Sequence, residues 1–97
     1  EKDIPNFFGD YRKEEFLNFI FYLKKNEFKL DNIKSFYYFP SGRWDLEIKN
    51  KIKIKLPTKK IENNLFLSKK IIKKNKDKKN YIIDLRINGQ VIIYDDK

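Results

Sequence analysis

Three carboxylates stand in alternating, strand-like runs of this chain. Asp45 and Glu47 lie in Arg43-Trp44-Asp45-Leu46-Glu47-Ile48, and Asp84 lies in Ile83-Asp84-Leu85-Arg86. Carboxylates do acid–base work when a nucleophile or a proton donor of matched pKa stands beside them. Here each has a lysine or arginine nearby, which makes it an ion-pair partner. The chain has no histidine and no cysteine. That removes the commonest general base and metal ligand, the thiolate nucleophile and the disulfide. No phosphate-cradling glycine loop and no metal-ligand spacing occurs. No catalytic residue, metal or cofactor is therefore expected, and the chemistry left is that of binding.

Two stretches offer binding chemistry. The first is the lysine run over 69–79, in a chain of net charge +9. A basic balance suggests an acidic partner. Lysine supplies nearly all of it, however, amid abundant Asn and Ile, the residues that A/T-rich codons encode. Much of the charge is accordingly solvated surface, and the run itself suits a helix C-terminus followed by a surface loop. The competing function is a small nucleic-acid-binding domain, with lysines on phosphates and Tyr and Phe stacking on bases. Two features oppose it. The aromatics alternate onto faces expected to be buried, and arginine is scarce.

The second stretch is the C-terminal hairpin. Asn88-Gly89 between apolar runs predicts a two-residue turn. That turn sets Ile83, Leu85 and Ile87 opposite Tyr94, Ile92 and Gln90, and it pairs Arg86 with Val91 and Asp84 with Ile93. The last strand, 90–95, then carries apolar residues on both faces. A strand of this kind at the edge of a sheet invites another strand. The expected partner-binding residues are Ile87, Gln90, Val91 and Ile92, continuing through Ile93 to Tyr94, which offers the largest contact.

The elements that position these residues follow from periodicity. Trp44, Leu46 and Ile48 alternate with charges, as do Ile52, Ile54 and Leu56. Placing all six on one face requires an odd loop, Lys49-Asn50-Lys51, which sets Glu47 against Lys53 and Asp45 against Lys55 in a ladder of opposite charges. A strand over 33–39, turned by Pro40-Ser41-Gly42, completes a three-stranded meander. Phe7-Phe8 suits an edge strand. A helix is predicted over 11–25 with Asp10 as N-cap. Its stripe is Phe16, Phe19, Ile20 and Leu23, widened by Leu17 and Phe21 so that more than half its girth is buried. Asn26 to Asn32 should be a polar connection anchored by Phe28 and Leu30. A second helix follows Pro57, with Thr58 as N-cap and Ile61, Leu65, Ser68 and Ile72 facing inward, flanked by Phe66 and Ile71.

The fold class expected is α+β: a mostly antiparallel sheet, made of the meander and the C-terminal hairpin, with two packed helices. With 40% hydrophobic and 16% aromatic residues, the 97-residue chain (1–97) is one domain with a real core. No apolar run approaches the roughly 18 residues of a membrane span. The chain opens at Glu1 and has no methionine, so it is expected to be a piece of a longer protein.

Taken in order, the Ile4-Pro5 to Gly9 opening, an amphipathic helix, Gly42-Arg43-Trp44-Asp45-Leu46, Leu56-Pro57, a second helix, Ile83-Asp84-Leu85-Arg86 and an apolar last strand form a pattern. It resembles the C-terminal extracytoplasmic β domain of the FtsQ/DivIB cell-division family, over essentially the whole chain. Lys51 departs from it, where the family tends to have glycine after Asn. The resemblance implies a bitopic protein of the inner membrane. A cytoplasmic tail, one membrane helix and a POTRA domain would lie upstream of Glu1, and this domain would lie in the periplasm. It implies a non-enzymatic scaffold of the divisome whose last strand accepts a segment of FtsB, in complex with FtsL, by strand addition. It also implies that Lys59 or Lys60, just beyond the Leu-Pro step, meets an acidic residue of that partner.

Overall fold

The central hairpin has the register its alternation requires. In the computed structural model, which describes residues 4–96, β3 (Trp44–Ile48) pairs antiparallel with β4 (Ile52–Lys55). Ile48 lies opposite Ile52, and Leu46 opposite Ile54. The Lys49–Lys51 turn holds Asn50 at φ 68° and Lys51 at φ 55°, so two side-chain-bearing residues sit in left-handed backbone that favours glycine. Glu47 opposes Lys53 and Asp45 opposes Lys55, but the ion pairs form elsewhere. Asp45 takes the Arg43 guanidinium, and the Lys53 ammonium reaches Asp96 at 3.1 Å.

Around this hairpin the chain adds β1 (Asn6–Phe8), α1 (Lys13–Lys25), β2 (Ile33–Tyr38), α2 (Ile61–Lys74), β5 (Tyr81–Asp84) and β6 (Ile92–Asp95). The strands form one sheet in the order β1-β2-β3-β4-β5-β6. It is a mixed sheet rather than the mostly antiparallel one expected, because β1 runs parallel to β2 and β4 parallel to β5. The cause lies in the connections. Each parallel pair is joined through a helix, and a crossover helix returns the chain to the end where it began. The other pairings are antiparallel, and β2-β3-β4 is the expected meander.

Both helices cover the same face. Trp44 is 5% exposed, and its indole stacks on Phe19 of α1 at 4.9 Å with 5° between planes. Leu46, Ile54, Leu56, Leu65, Tyr81 and Ile83 are fully buried beneath the helices. A β-bulge between Ile33 and Ser35 reconciles β2 with this face. Ile33 and Phe36 have opposite parity, and the extra residue lets both point inward. Gly9, at φ 106°, passes so close to the Tyr38 carbonyl that a Cβ would lie 2.2 Å from its oxygen. No other residue fits there.

The helix boundaries shift from expectation. The N-cap of α1 is Arg12, not Asp10, and the Glu15 carboxylate accepts the Arg12 N–H at 2.9 Å. The other Glu15 oxygen accepts the Tyr38 hydroxyl at 2.8 Å. These two bonds hold the Glu15 carboxyl below its ordinary pKa, the backbone bond first. At the far end Glu27 adopts φ 65°, and the N–H groups of Phe28 and Glu27 close onto the Leu23 and Lys24 carbonyls, a Schellman stop with Phe28 tucked into the core. α2 starts from Lys60 in left-handed backbone, not from Thr58. Leu17, Phe21 and Phe66, expected to widen the buried stripes, are 53%, 61% and 58% exposed. Leu67, absent from the expected stripe, packs partly against the core instead.

Candidate functional site

The C-terminal hairpin departs most from its sequence signal. Ile83 lies opposite Ile93, Ile82 opposite Tyr94 and Asp84 opposite Ile92, one residue away from the predicted register. β6 is Ile92–Asp95 rather than 90–95, and a long loop, 85–91, replaces the two-residue turn. The turn chemistry explains it. Gln90 N–H closes onto the Ile87 carbonyl at 3.0 Å, with Gly89 at φ 78° but Asn88 not at positive φ. The hairpin turns that match strand twist, types I′ and II′, need positive φ at the first central residue, here Asn88, and turns of types I and II splay their strands. The Asn-Gly pair makes a turn inside a wide loop instead of closing the hairpin.

The one-residue shift decides what β6 offers. Opposed residues share a face, so Ile93 joins Ile83 on the helix side, while Ile92 and Tyr94 lie on the open face with Asp84 and Ile82. Backbone direction follows from two bonds. Leu85 N–H donates to the Lys55 carbonyl on the β4 side, and Asp96 N–H donates to the Asn80 carbonyl on the β5 side. Backbone groups alternate along a strand. Ile92 and Tyr94 therefore face β5, and Ile93 and Asp95 turn their N–H and C=O groups to the outer edge. No strand pairs with that edge among the described residues. Val91, Ile92, Ile93 and Tyr94 are 45%, 42%, 42% and 39% exposed.

Ion pairs fix the C-terminal end of the edge. Asp95 pairs with Lys78 at 3.2 Å and Asp96 with Lys53. Lys55 Nζ donates to the Tyr94 hydroxyl at 3.4 Å. On β5, Arg86 grips Asp84 through Nε at 2.9 Å and Nη2 at 2.7 Å, and that guanidinium holds the Asp84 carboxyl below its ordinary pKa. Asp45 differs. Its burial outweighs the Arg43 guanidinium and pushes its carboxyl upward. Neither carboxylate stands beside a nucleophile, and no cluster of His, Cys, Asp or Glu among the described residues is placed to hold a metal.

Beside β6 runs a groove of about 540 Å³ between the 85–91 loop and the start of α2. Leu67 and Leu85 belong to its lining, together with Lys59, Ile87, Gln90 and Val91. The fold thus divides the expected site residues. Lys59, Ile87, Gln90 and Val91 gather at the groove, and Ile92, Ile93 and Tyr94 form the edge. Leu67, Leu85 and Arg86, also at the groove, were not expected there. Leu85 reads as an inward strand position and Leu67 lies off the expected α2 stripe, and the wide 85–91 loop brings them to a concave surface.

The aromatics bear on nucleic-acid binding differently from expectation. Phe8, Tyr37 and Phe39 lie on the open face rather than in the core, but their rings are occupied. Phe8 and Tyr37 stack on each other at 4.9 Å, and Arg43 lies 4.3 Å over Phe39. No protein-family model matches the chain, and no curated protein matches it.

Proposed function

We propose that this domain is a non-enzymatic scaffold module that binds an extended protein segment as an added strand along β6. The observation that carries the reading is the outer edge of β6, where the Ile93 and Asp95 backbone groups face outward between exposed apolar side chains. Strand addition uses such outward groups for register and affinity, and flanking side chains for specificity. The groove holding Lys59 extends the contact surface beyond the strand. The resemblance to the FtsQ/DivIB β domain supports a partner of FtsB/FtsL type in septum formation, with the domain in the periplasm and anchored through an upstream membrane segment. No helix among the described residues is long and apolar enough to cross a membrane.

The test is calorimetry with the extracytoplasmic segments of FtsB and FtsL encoded by the same genome. Tyr94→Ala should weaken binding by about 2 kcal/mol, as for an aromatic hot spot, with little change in the far-UV circular dichroism. Binding should persist at about 0.5 M salt, where phosphate-driven nucleic-acid binding collapses. Undiminished affinity in folded Tyr94→Ala would sink the assignment of this edge.

A further inference from the structure

Each helix carries a second stripe on the side turned away from the sheet. On α1 it is Leu17, Phe21, Lys24 and Lys25, spaced i, i+4, i+7, i+8. On α2, Phe66, Lys70, Lys73 and Lys74 repeat that spacing. Helical geometry places both stripes roughly opposite the buried ones. The exposure of Leu17, Phe21 and Phe66 agrees. The lysines accompany the rings, with Lys25 Nζ 6.0 Å from the Phe21 centroid and Lys70 Nζ 5.5 Å from that of Phe66.

The topology concentrates charge at one end of this layer. β1 and β4 point the same way through the sheet, and each helix returns its chain to a parallel neighbour. Both helices therefore end at the same side of the molecule. There the 75–80 loop meets the β3–β4 turn, joined by Asn80 N–H to the Asn50 carbonyl at 2.9 Å. Lys49 and Lys51, distant in sequence, thereby come alongside the Lys76 and Lys79 loop, and all four are exposed.

We infer that the helix layer docks on an anionic lipid surface, with Leu17, Phe21 and Phe66 seated at the headgroup boundary and the lysine-rich end on lipid phosphates. Exposed Phe and Leu beside lysines is the composition that binds membrane interfaces. A nucleic acid gains nothing from Leu17. A second copy of the chain would set like charges against each other. The apolar stripes lie on the outer side of the helices, away from β6, while the lysine-rich end adjoins the last residues of β6 through the Asp96–Asn80 bond and the Lys78–Asp95 pair; the surface goes beyond strand addition without depending on it.

The experiment is cosedimentation of the whole chain with vesicles of equal parts phosphatidylglycerol and phosphatidylcholine, and with phosphatidylcholine alone. Binding is expected to the anionic vesicles only, and to weaken as NaCl rises from about 0.1 to 0.5 M. Phe21→Ser with Phe66→Ser should lower the partition roughly tenfold. Lys73→Glu with Lys74→Glu should lower it as far, each double variant remaining folded by circular dichroism because the replaced side chains are exposed. Ile93→Pro on β6 should leave it unchanged, which separates this surface from the strand-addition edge. No sedimentation with anionic vesicles, equal partition by the phenylalanine variant, or displacement of vesicles by a single-stranded oligonucleotide at equal phosphate would overturn the inference.

Discussion

Proline at two adjacent positions of β6 should separate the proposed strand addition from folding. Ile92 turns its backbone groups to β5 and Ile93 turns its own outward, as the Asp96 to Asn80 bond and the one-residue alternation require. Ile92→Pro deletes a donor to the Asp84 carbonyl. The lost ladder bond and the stranded carbonyl together cost about 1–3 kcal/mol. Ile93→Pro deletes a donor that faces solvent, a position edge strands tolerate. Each change also trims a half-exposed isoleucine, at about 1 kcal/mol. Ile92→Pro should therefore be the less stable by about 1–3 kcal/mol. Both should remain folded, given the 5–15 kcal/mol typical of small domains.

Binding should order them the other way. Ile93→Pro removes a hydrogen bond that an added strand would use, and its ring stands where that strand's backbone must approach. Strand addition should be lost altogether, while Ile92→Pro should bind with affinity reduced in proportion to the fraying of β6. Urea midpoints followed by circular dichroism give the stability order, and calorimetry with the partner segment gives the binding order. If Ile93→Pro binds as tightly as the parent, no added strand pairs with this edge. If Ile93→Pro proves the less stable of the two, the inward and outward assignment of β6 is reversed.

Three further outcomes test the fold that presents this edge. Lys51→Gly should raise stability by about 1 kcal/mol, because it relieves left-handed backbone at φ 55°; a lowered urea midpoint would contradict the turn geometry. Trp44→Ala should cost about 3–5 kcal/mol, since the indole is buried against Phe19; an unchanged midpoint would show that this face is not the core. The Asp84 carboxyl, held low by Arg86, contributes stability that is complete above its unfolded pKa of about 3.9 and is lost as pH falls through its lower folded value. Asp84→Asn should cost about 1–2 kcal/mol at pH 7 and flatten that acid limb; an acid limb like the parent's would assign it to other carboxylates.

The sequence made the β3–β4 hairpin legible because two constraints had to agree: alternation on both strands and the parity of the loop. It did not make the sheet's mixed character legible. Strand alternation says which face a side chain takes, but the crossover helices decide which strand lies next to which. The α2 stripe was legible at Leu65 and Ser68 and misleading at Phe66. An apolar residue on a second helical stripe looks like a wider core until the sheet's extent is known. At the candidate site, the edge itself was legible from the apolar residues 91–94. The register was not. Asn88-Gly89 carries a strong local turn preference, yet the conformation it adopts between Ile87 and Gln90 splays the strands.

Among the described residues both edges of this sheet are open, and they are not equivalent. β1 is three residues long, preceded by Pro5 and ended by Gly9 against the Tyr38 carbonyl, so it can pair only briefly before the chain turns away. β6 continues from an exposed apolar loop and has no proline or bulge. Natural edge strands are commonly protected by lysine, and this chain places lysine on β2, β4, both helices and the turns between them. From Asn80 to Asp96 it places none. Ile4 to Arg12, which includes β1, and Ser35 to Ile48 lack lysine as well, so lysine does not tell the two edges apart; the brevity of β1 and the exposed apolar side chains of β6 are why β6 rather than β1 is the binding edge we propose.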